Sequence, residues 1–327
     1  MTRMVDRDTY NKKDSYVTSG IMGLAVGDAM GIPVEFRSRE LIDRDPVVDF
    51  REYGTFEQPM GTWSDDTSMT LCLLDSLSKG LNYADIMEKF QQWGDTGAYT
   101  PHGSAFDMGR TTTNALFKYK LGVAPLLCGG DQEMDNGNGS LMRILPCAFF
   151  LYKKYETDVV CDDALEIVHK VSGLTHRHPR SLIACGIYIA AAVRLIAGEP
   201  VKDAISGSIE ETVKYYSGLP KMSAETKYFG RLLHIDSFTM LSRSQIQSSG
   251  YVVDSIEAAF WCLLNTSSYR ECILKAVNLG EDTDTVAAIA GGLAGIYYGY
   301  ASFSEMGSKL VKSDYILSLC GKFEQAK

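Results

Sequence analysis

The chain's 327 residues are 45% hydrophobic and carry a net charge of −9, enough for one large core, and no Lys/Arg-rich run suggests a nucleic-acid surface. Eight cysteines occur without a Cys-x-x-Cys pair, and Cys72, Cys147, Cys185 and Cys262 lie in apolar segments. This excludes structural zinc and a disulfide framework and predicts a reduced, cytoplasmic protein. Met1–Lys13 is polar, mixed in charge and without an apolar leader, so residues 1–14 read as a flexible tail ahead of a single domain spanning the chain.

The apolar spacing along the chain is helical. Thr18–Met30 places Ile21, Leu24 and Ala25 on one face and Gly23, Gly27 and Gly31 on another, a glycine row that permits close helix approach. Asp28 interrupts this apolar stretch, which implies a polar task such as capping or ligation. Glu35 follows Pro33 in a loop expected to run over residues 37–62. Ser64 is a good N-cap for a helix carrying Met69, Cys72, Leu73 and Leu77 and stopped at Gly80, with Asp65 and Asp66 in its first turn. After a loop over residues 95–104, Asp107, Gly109 and Arg110 stand at a loop-to-helix junction.

Residues 129–139 form a further loop. Asn136-Gly137-Asn138-Gly139 has hairpin-turn chemistry, but no β-branched runs flank it and a helical pattern follows. Asn138-Gly139-Ser140 is expected to open that helix, with Arg143 one turn on, where free backbone N–H groups make an anion site. His176 and His178 flank Arg177 ahead of Pro179, which starts a helix to Ala197. His-x-His is a weak zinc signal; a solvated loop or a ligand-contacting His176 fits equally. Residues 218–250 read as a loop, and Val253–Leu264, Tyr269–Leu279 and Val286–Tyr300 as helices. Uncharged Val286–Phe303 is long enough to suggest a membrane span. Its glycines and the acidic cluster just before it favour a buried core helix, so no membrane is expected. With no two-residue alternation and no internal repeat, the chain reads as a single compact all-α domain.

Two acidic clusters carry the chemistry: Ser64, Asp65 and Asp66 near the start, and Asp282, Asp284 and Thr285 near the end. Either alone is explained by carboxylates complementing a helix dipole. The second, however, opens an Ala/Gly-rich helix that belongs in a core, and buried carboxylates need partners. No lysine or arginine lies beside either cluster. Carboxylate and hydroxyl oxygens suit Mg2+ or Mn2+, and this many can hold two ions about 4 Å apart.

Taken together, these segments resemble the ADP-ribosylglycohydrolase family, which includes the dinitrogenase-reductase-activating glycohydrolases. The similar stretches are Gly20–Glu35, Gly61–Thr70, Phe106–Thr112, Asn138–Pro146, Thr175–Pro179, Gly250–Trp261 and Ala276–Gly292, in the family's order. The resemblance implies an all-α fold around a binuclear Mg2+ or Mn2+ site that cleaves ADP-ribose from a protein side chain or small acceptor. By position it implies that Ser64, Asp65, Asp66, Asp282, Asp284 and Thr285 are ligands. Glu35 would ligate a metal or help activate water, Asp107 would face the scissile ribose, and Asp66 would join them in catalysis. Asn138, Gly139, Ser140 and His176, with Gly109, would line the ADP-ribose cleft. Two positions depart from the family: Ser64 stands where Thr is common, and Glu281 where Gly is usual, an added carboxylate that could alter metal preference or narrow the cleft. Two other classes meet the same residues: an ADP-ribose-binding protein of this fold without turnover, and a metal-dependent nucleotide phosphoesterase releasing phosphate or AMP.

Overall fold

The computed structural model describes residues 15–326, so the expected tail over residues 1–14 lies outside the described residues. Among the described residues there is no strand, only isolated β-bridges pairing Tyr53 with Gln58, Gly130 with His176 and Gly137 with Tyr251. The all-α expectation is met.

The frame is a pair of helices from opposite ends of the chain. α1 (Tyr16–Gly31) begins at Ser15, whose Oγ accepts from the Val17 N–H at 3.1 Å. The packing between α1 and the late helix Thr283–Tyr298 is the most extensive helix contact in the molecule. The glycine row explains why. A Cβ on Gly27 would lie 2.1 Å from the Ala287 carbonyl oxygen, and one on Gly23 would lie 2.3 Å from that of Gly291. A Cβ on Gly31 would lie 2.3 Å from the Asp284 nitrogen. Backbone therefore meets backbone along the whole interface, and Thr283 Oγ1 donates to the Gly31 carbonyl at 2.8 Å. This contact brings the end of α1 to the Asp282–Thr285 turn.

The other helices surround this pair. In chain order they are α2 (Asp65–Leu77), α3 (Tyr83–Thr96), α4 (Arg110–Lys120), α5 (Pro146–Tyr155), α6 (Asp162–Ser172) and α7 (Pro179–Ile196). They continue with α8 (Val201–Ser217), α9 (Val252–Leu264), α10 (Tyr269–Val277) and α12 (Ser313–Gln325), the late helix of the central pair being α11 (Thr283–Tyr298). The fully buried Tyr188 of α7 donates to the Ile289 carbonyl, and Tyr269 of α10 to the Gly23 carbonyl, pinning both neighbours to the central pair.

Tyr16–Val34 and Pro179–Ile196 are long and apolar enough to cross a membrane, but 94% and 83% of each is buried inside the protein, as core helices are. Several expectations are corrected. The helix expected to open at Asn138 starts only at Pro146, and residues 139–143 form tight turns. Proline fixes that start because it suits the first helical position. The expected loop 37–62 contains a helix at Arg39–Arg44, and 218–250 contains a 3-10 stretch at Ser223–Leu233 and a short helix at Ile235–Thr239. Amphipathic α3, α6 and α8 were not anticipated; each buries one narrow apolar stripe and exposes the rest.

Gly27→Ala puts a methyl group into a backbone carbonyl that no side chain can yield for. Chemical denaturation should show a loss of about 3 kcal/mol or more, at the upper end of overpacking costs. A variant as stable as the parent would refute the packing described.

Candidate active site

Asp28, at the end of α1, organises the first cluster. It is fully buried and accepts from the Ser64 N–H at 2.9 and 3.0 Å, the Thr67 N–H at 3.0 Å and Thr67 Oγ1 at 2.6 Å. Its polar task is therefore capping: it holds the start of α2 and aims Ser64, Asp65 and Asp66. Burial pushes its carboxyl up to about 6, against the pull of those hydrogen bonds.

The second cluster arrives with α11. Asp282 stands just ahead of the helix, with Asp284 and Thr285 in its first turn. Its loop is held from outside. Ser248 accepts from the Asp282 N–H at 3.0 Å, and Arg39 donates to the carbonyls of Leu279, Arg243 and Ile246 at 2.7, 2.7 and 2.8 Å. The two clusters meet where Thr285 Oγ1 donates to Asp66 Oδ1 at 3.3 Å. Glu35, Asp282 and Asp284 each bring a carboxylate oxygen within 4.8 Å of the others.

The electrostatics of this assembly are one-sided. Burial first, then neighbouring carboxylates, hold Asp65, Asp66 and Asp284 well above the usual carboxylate range, and Asp282 is raised chiefly by burial. Burial and Asp107 push Glu35 up to about 11, while burial raises Asp107 to about 7. Glu35 Oε2, Asp66 Oδ2 and both Asp284 oxygens are buried with no hydrogen-bond partner. Orphaned oxygens in an acidic pocket are the donor set of a hard divalent cation, so these residues fit Mg2+ or Mn2+.

The cleft's other wall is the Gly137–Gly139 turn and His176. Asn138 Nδ2 donates to Asp282 Oδ2 at 2.8 Å and to Ser255 Oγ at 2.9 Å, joining this wall to the acidic cluster. A Cβ on Gly139 would lie 2.8 Å from His176 Cε1, so the turn sits directly on the imidazole. Arg143 and Thr175 hold the ring in place: Arg143 Nη2 donates to Thr175 Oγ1 at 2.8 Å, Thr175 Oγ1 lies 2.8 Å from His176 Nδ1, and Nε2 is turned toward Gly137 and Gly139. Burial and the fully buried Arg143 lower the His176 pKa to about 3, so the ring is neutral.

Not every candidate contributes a side chain to the cleft. Ser140 is fully buried and its Oγ accepts from Ser172 at 2.9 Å. His178 caps α7 by accepting from the Arg180 N–H, so it serves the start of that helix. Gly109 is exposed at the N-cap of α4, two residues beyond Asp107. Sequence reasoning missed Arg39, Arg143 and Arg180. The clearest signal was Arg143, a charge inside an apolar stretch; it is fully buried, with Nε and Nη1 lacking partners. Arg180, 3% exposed, pairs with Glu133 and Glu225 and donates to the Tyr251 hydroxyl, clamping the loop before the Gly137 turn onto α7.

The walls also hold strained backbone. Phe36, Asp107 and Glu281 are non-glycine residues in the left-handed region, with φ of 62°, 59° and 63°. Each is a site residue or adjoins one, the pattern expected where the surrounding structure fixes a functional geometry. Glu281 exchanges backbone hydrogen bonds with Phe36 and Arg37, at 2.7 and 2.8 Å, and so links the Glu35 loop to the Asp282 loop. Its side chain is exposed and its charge acts on Arg39. The glycine usual at this position is thus explained by φ.

Two expected outcomes follow. Raised carboxyl pKa values mean that folding favours protonated acids, so metal-free protein loses stability as pH rises above their unfolded range. His169 and His176, lowered by burial to about 4 and 3, affect stability only below pH 7, and the buried thiols, held up by burial, join in only as pH approaches 9, so the window from pH 7 to 8 isolates the acids. The Tm in chelator should fall across that window, and Mn2+ should restore it; a flat profile would count against the cluster. Glu281→Gly should stabilise the fold by about 0.5–1 kcal/mol by relieving left-handed strain. The Mn2+-induced shift in Tm should be unchanged; its loss would instead show that Glu281 helps to hold the ion.

Comparison with known proteins agrees with this geometry. A family model described as ADP-ribosylglycohydrolase matches residues 9–327. ADP-ribosylarginine hydrolase Tri1 of Serratia proteamaculans is 33% identical, over 91% of this chain and 76% of its own length. ADP-ribosyl-[dinitrogen reductase] glycohydrolase of Rhodospirillum rubrum is 30% identical, over 85% of this chain and 84% of its own. A solved ADP-ribosylglycohydrolase-related protein complex superposes with a TM-score of 0.75 at 26% identity, covering 95% of this chain and 97% of that one. With its acidic clusters joined across a backbone-tight helix pair and a match along nearly the whole chain, the protein belongs to the ADP-ribosylglycohydrolase family.

Proposed function

We propose that this chain removes ADP-ribose from modified side chains by hydrolysing the bond at the anomeric carbon, at a site that holds two divalent cations, Mg2+ or Mn2+. The observation that carries the reading is the junction of the two clusters: Thr285 bonded to Asp66, beside orphaned oxygens of Glu35, Asp66 and Asp284. The relatives' names support the reaction, and those of Serratia proteamaculans and Pseudomonas putida specify arginine. Eight free cysteines support a reducing, cytoplasmic setting.

Ser64, Asp65 and Asp66 would hold the ions from one side, and Asp282, Asp284 and Thr285 from the other. Bound there, the ions orient ribose hydroxyls and acidify a bound water. The rest falls to side chains. Bond cleavage builds positive charge on the ribose, as in other glycoside hydrolyses, and the carboxylate cluster stabilises it. Glu35 and Asp107, both raised above the ordinary carboxylate range, are suited to take a proton from the attacking water and return one to the leaving group. The neutral His176 ring lies beside Gly137 and Gly139, where its Nε2–H tautomer would donate to a diphosphate oxygen. Asn138 is held by Asp282, which couples the diphosphate wall to the metal wall.

Asp66→Ala and Asp284→Ala should each lower the release of ADP-ribose by more than the roughly 10–100-fold typical of losing an outer partner of a metal ligand. Helix content by circular dichroism should be nearly unchanged. Near-normal turnover in either variant overturns the metal assignment. Chromatography of the products separates the alternatives: intact ADP-ribose supports the reading, AMP or phosphate identifies a phosphoesterase, and tight ADP-ribose binding with no release identifies a non-catalytic binder.

A further inference from the structure

Beside the Glu35–Asp107 pair runs an aromatic ledge that the site described so far does not use. Phe36, Phe56 and Phe106 follow one another at ring-centroid distances of 6.2 and 5.4 Å. Phe36 is 66% exposed. Phe36 directly follows Glu35 and Phe106 directly precedes Asp107, so both ends of the ledge are tied by the backbone to two carboxyls of the site.

The middle ring is held by a built turn. A Cβ on Gly54 would lie 2.0 Å from the Pro33 carbonyl oxygen, so the turn packs its backbone onto the segment leading to Glu35. Thr55 Oγ1 donates to the Glu35 carbonyl at 2.8 Å, and the Tyr53 N–H donates to the Gln58 carbonyl at 2.6 Å. Tyr53 and Phe36 both take left-handed φ, 61° and 62°. An exposed phenylalanine on strained backbone contributes little to folding, which directs attention to what it could bind. The same turn carries exposed Glu52 and Glu57, the latter directly following Phe56.

A group that suits aromatic faces and adjacent carboxylates together is a flat, weakly hydrated cation. A guanidinium stacks on rings and donates to carboxylates in one plane. A serine acceptor offers neither charge nor plane. We propose that the Phe36–Phe56–Phe106 ledge binds the guanidinium of an arginine acceptor and selects arginine-linked over serine-linked ADP-ribose; this rests on the hydrolase reading of the same site.

The test compares two synthetic peptides, one bearing ADP-ribose on arginine and one on serine, with the intact protein and Mn2+. Wild type should prefer the arginine peptide. Phe36→Leu keeps apolar bulk but removes the ring; it should raise KM for the arginine peptide roughly five- to tenfold, the effect of a partly desolvated cation–π contact, and lower the arginine-to-serine preference in proportion. Phe36→Trp should retain the preference, and free ADP-ribose should inhibit all variants alike. A preference unchanged in Phe36→Leu, or a wild type that prefers serine, overturns the ledge. Release from neither peptide defeats the hydrolase reading instead. Calorimetric titration of both peptides into wild type and Phe36→Leu then judges the ledge alone, since equal affinities across all four combinations overturn it.

Discussion

Everything at the site depends on one interface, the backbone-to-backbone packing of α1 on α11. These helices come from opposite ends of the chain, and only glycine at positions 23, 27 and 31 lets them approach so closely. The approach places the end of α1 against the start of α11. Asp28 can then hold Ser64 and Thr67, and Thr285 can reach Asp66. A site assembled from segments so distant in sequence needs a rigid joint, and packed backbone is more rigid than interlocked side chains.

That joint carries an electrostatic load. Buried carboxylates repel one another and lose hydration, and in most cores such a cluster would be replaced or neutralised. Here the acids are retained and supported by uncharged partners, Asn138, Thr67, Thr285 and the Ser248 backbone, with Arg39 holding the loop through its carbonyls from behind. The fold thus keeps its positive side chains away from the ligand oxygens, leaving those oxygens for a cation. The buried Arg143 serves the opposite wall, where burial and then its charge keep His176 neutral and its hydrogen bond to Thr175 holds the residue that touches the ring.

The strained residues fit the same picture. Phe36, Asp107 and Glu281 border the Glu35–Asp107 pair and the Asp282 turn. The backbone bonds of Phe36 and Arg37 with Glu281 cross-link the Glu35 loop to the Asp282 loop, so segments from opposite ends of the chain share one geometry. Glu281 shows how such a position is misread from sequence. Its side chain suggested an added metal-site charge, whereas the structure gives the position a backbone task and turns the carboxylate outward.

The all-α class, the long core helices and both acidic clusters were legible in the sequence, because helical periodicity and carboxylates beside an apolar run are local signals. The glycine row was legible too, though not its partner. What lay beyond local pattern was long-range. Ser140 read as a cleft residue, yet its hydroxyl turns inward to Ser172, and the helix expected from Asn138 waits until Pro146. Arg39, Arg143 and Arg180 act through backbone carbonyls, a threonine and distant glutamates that no spacing rule pairs with them. The sequence by itself determined which oxygens exist and which helices carry them. Only the tertiary structure decided that those oxygens face one another, because two helices from opposite ends of the chain pack backbone to backbone.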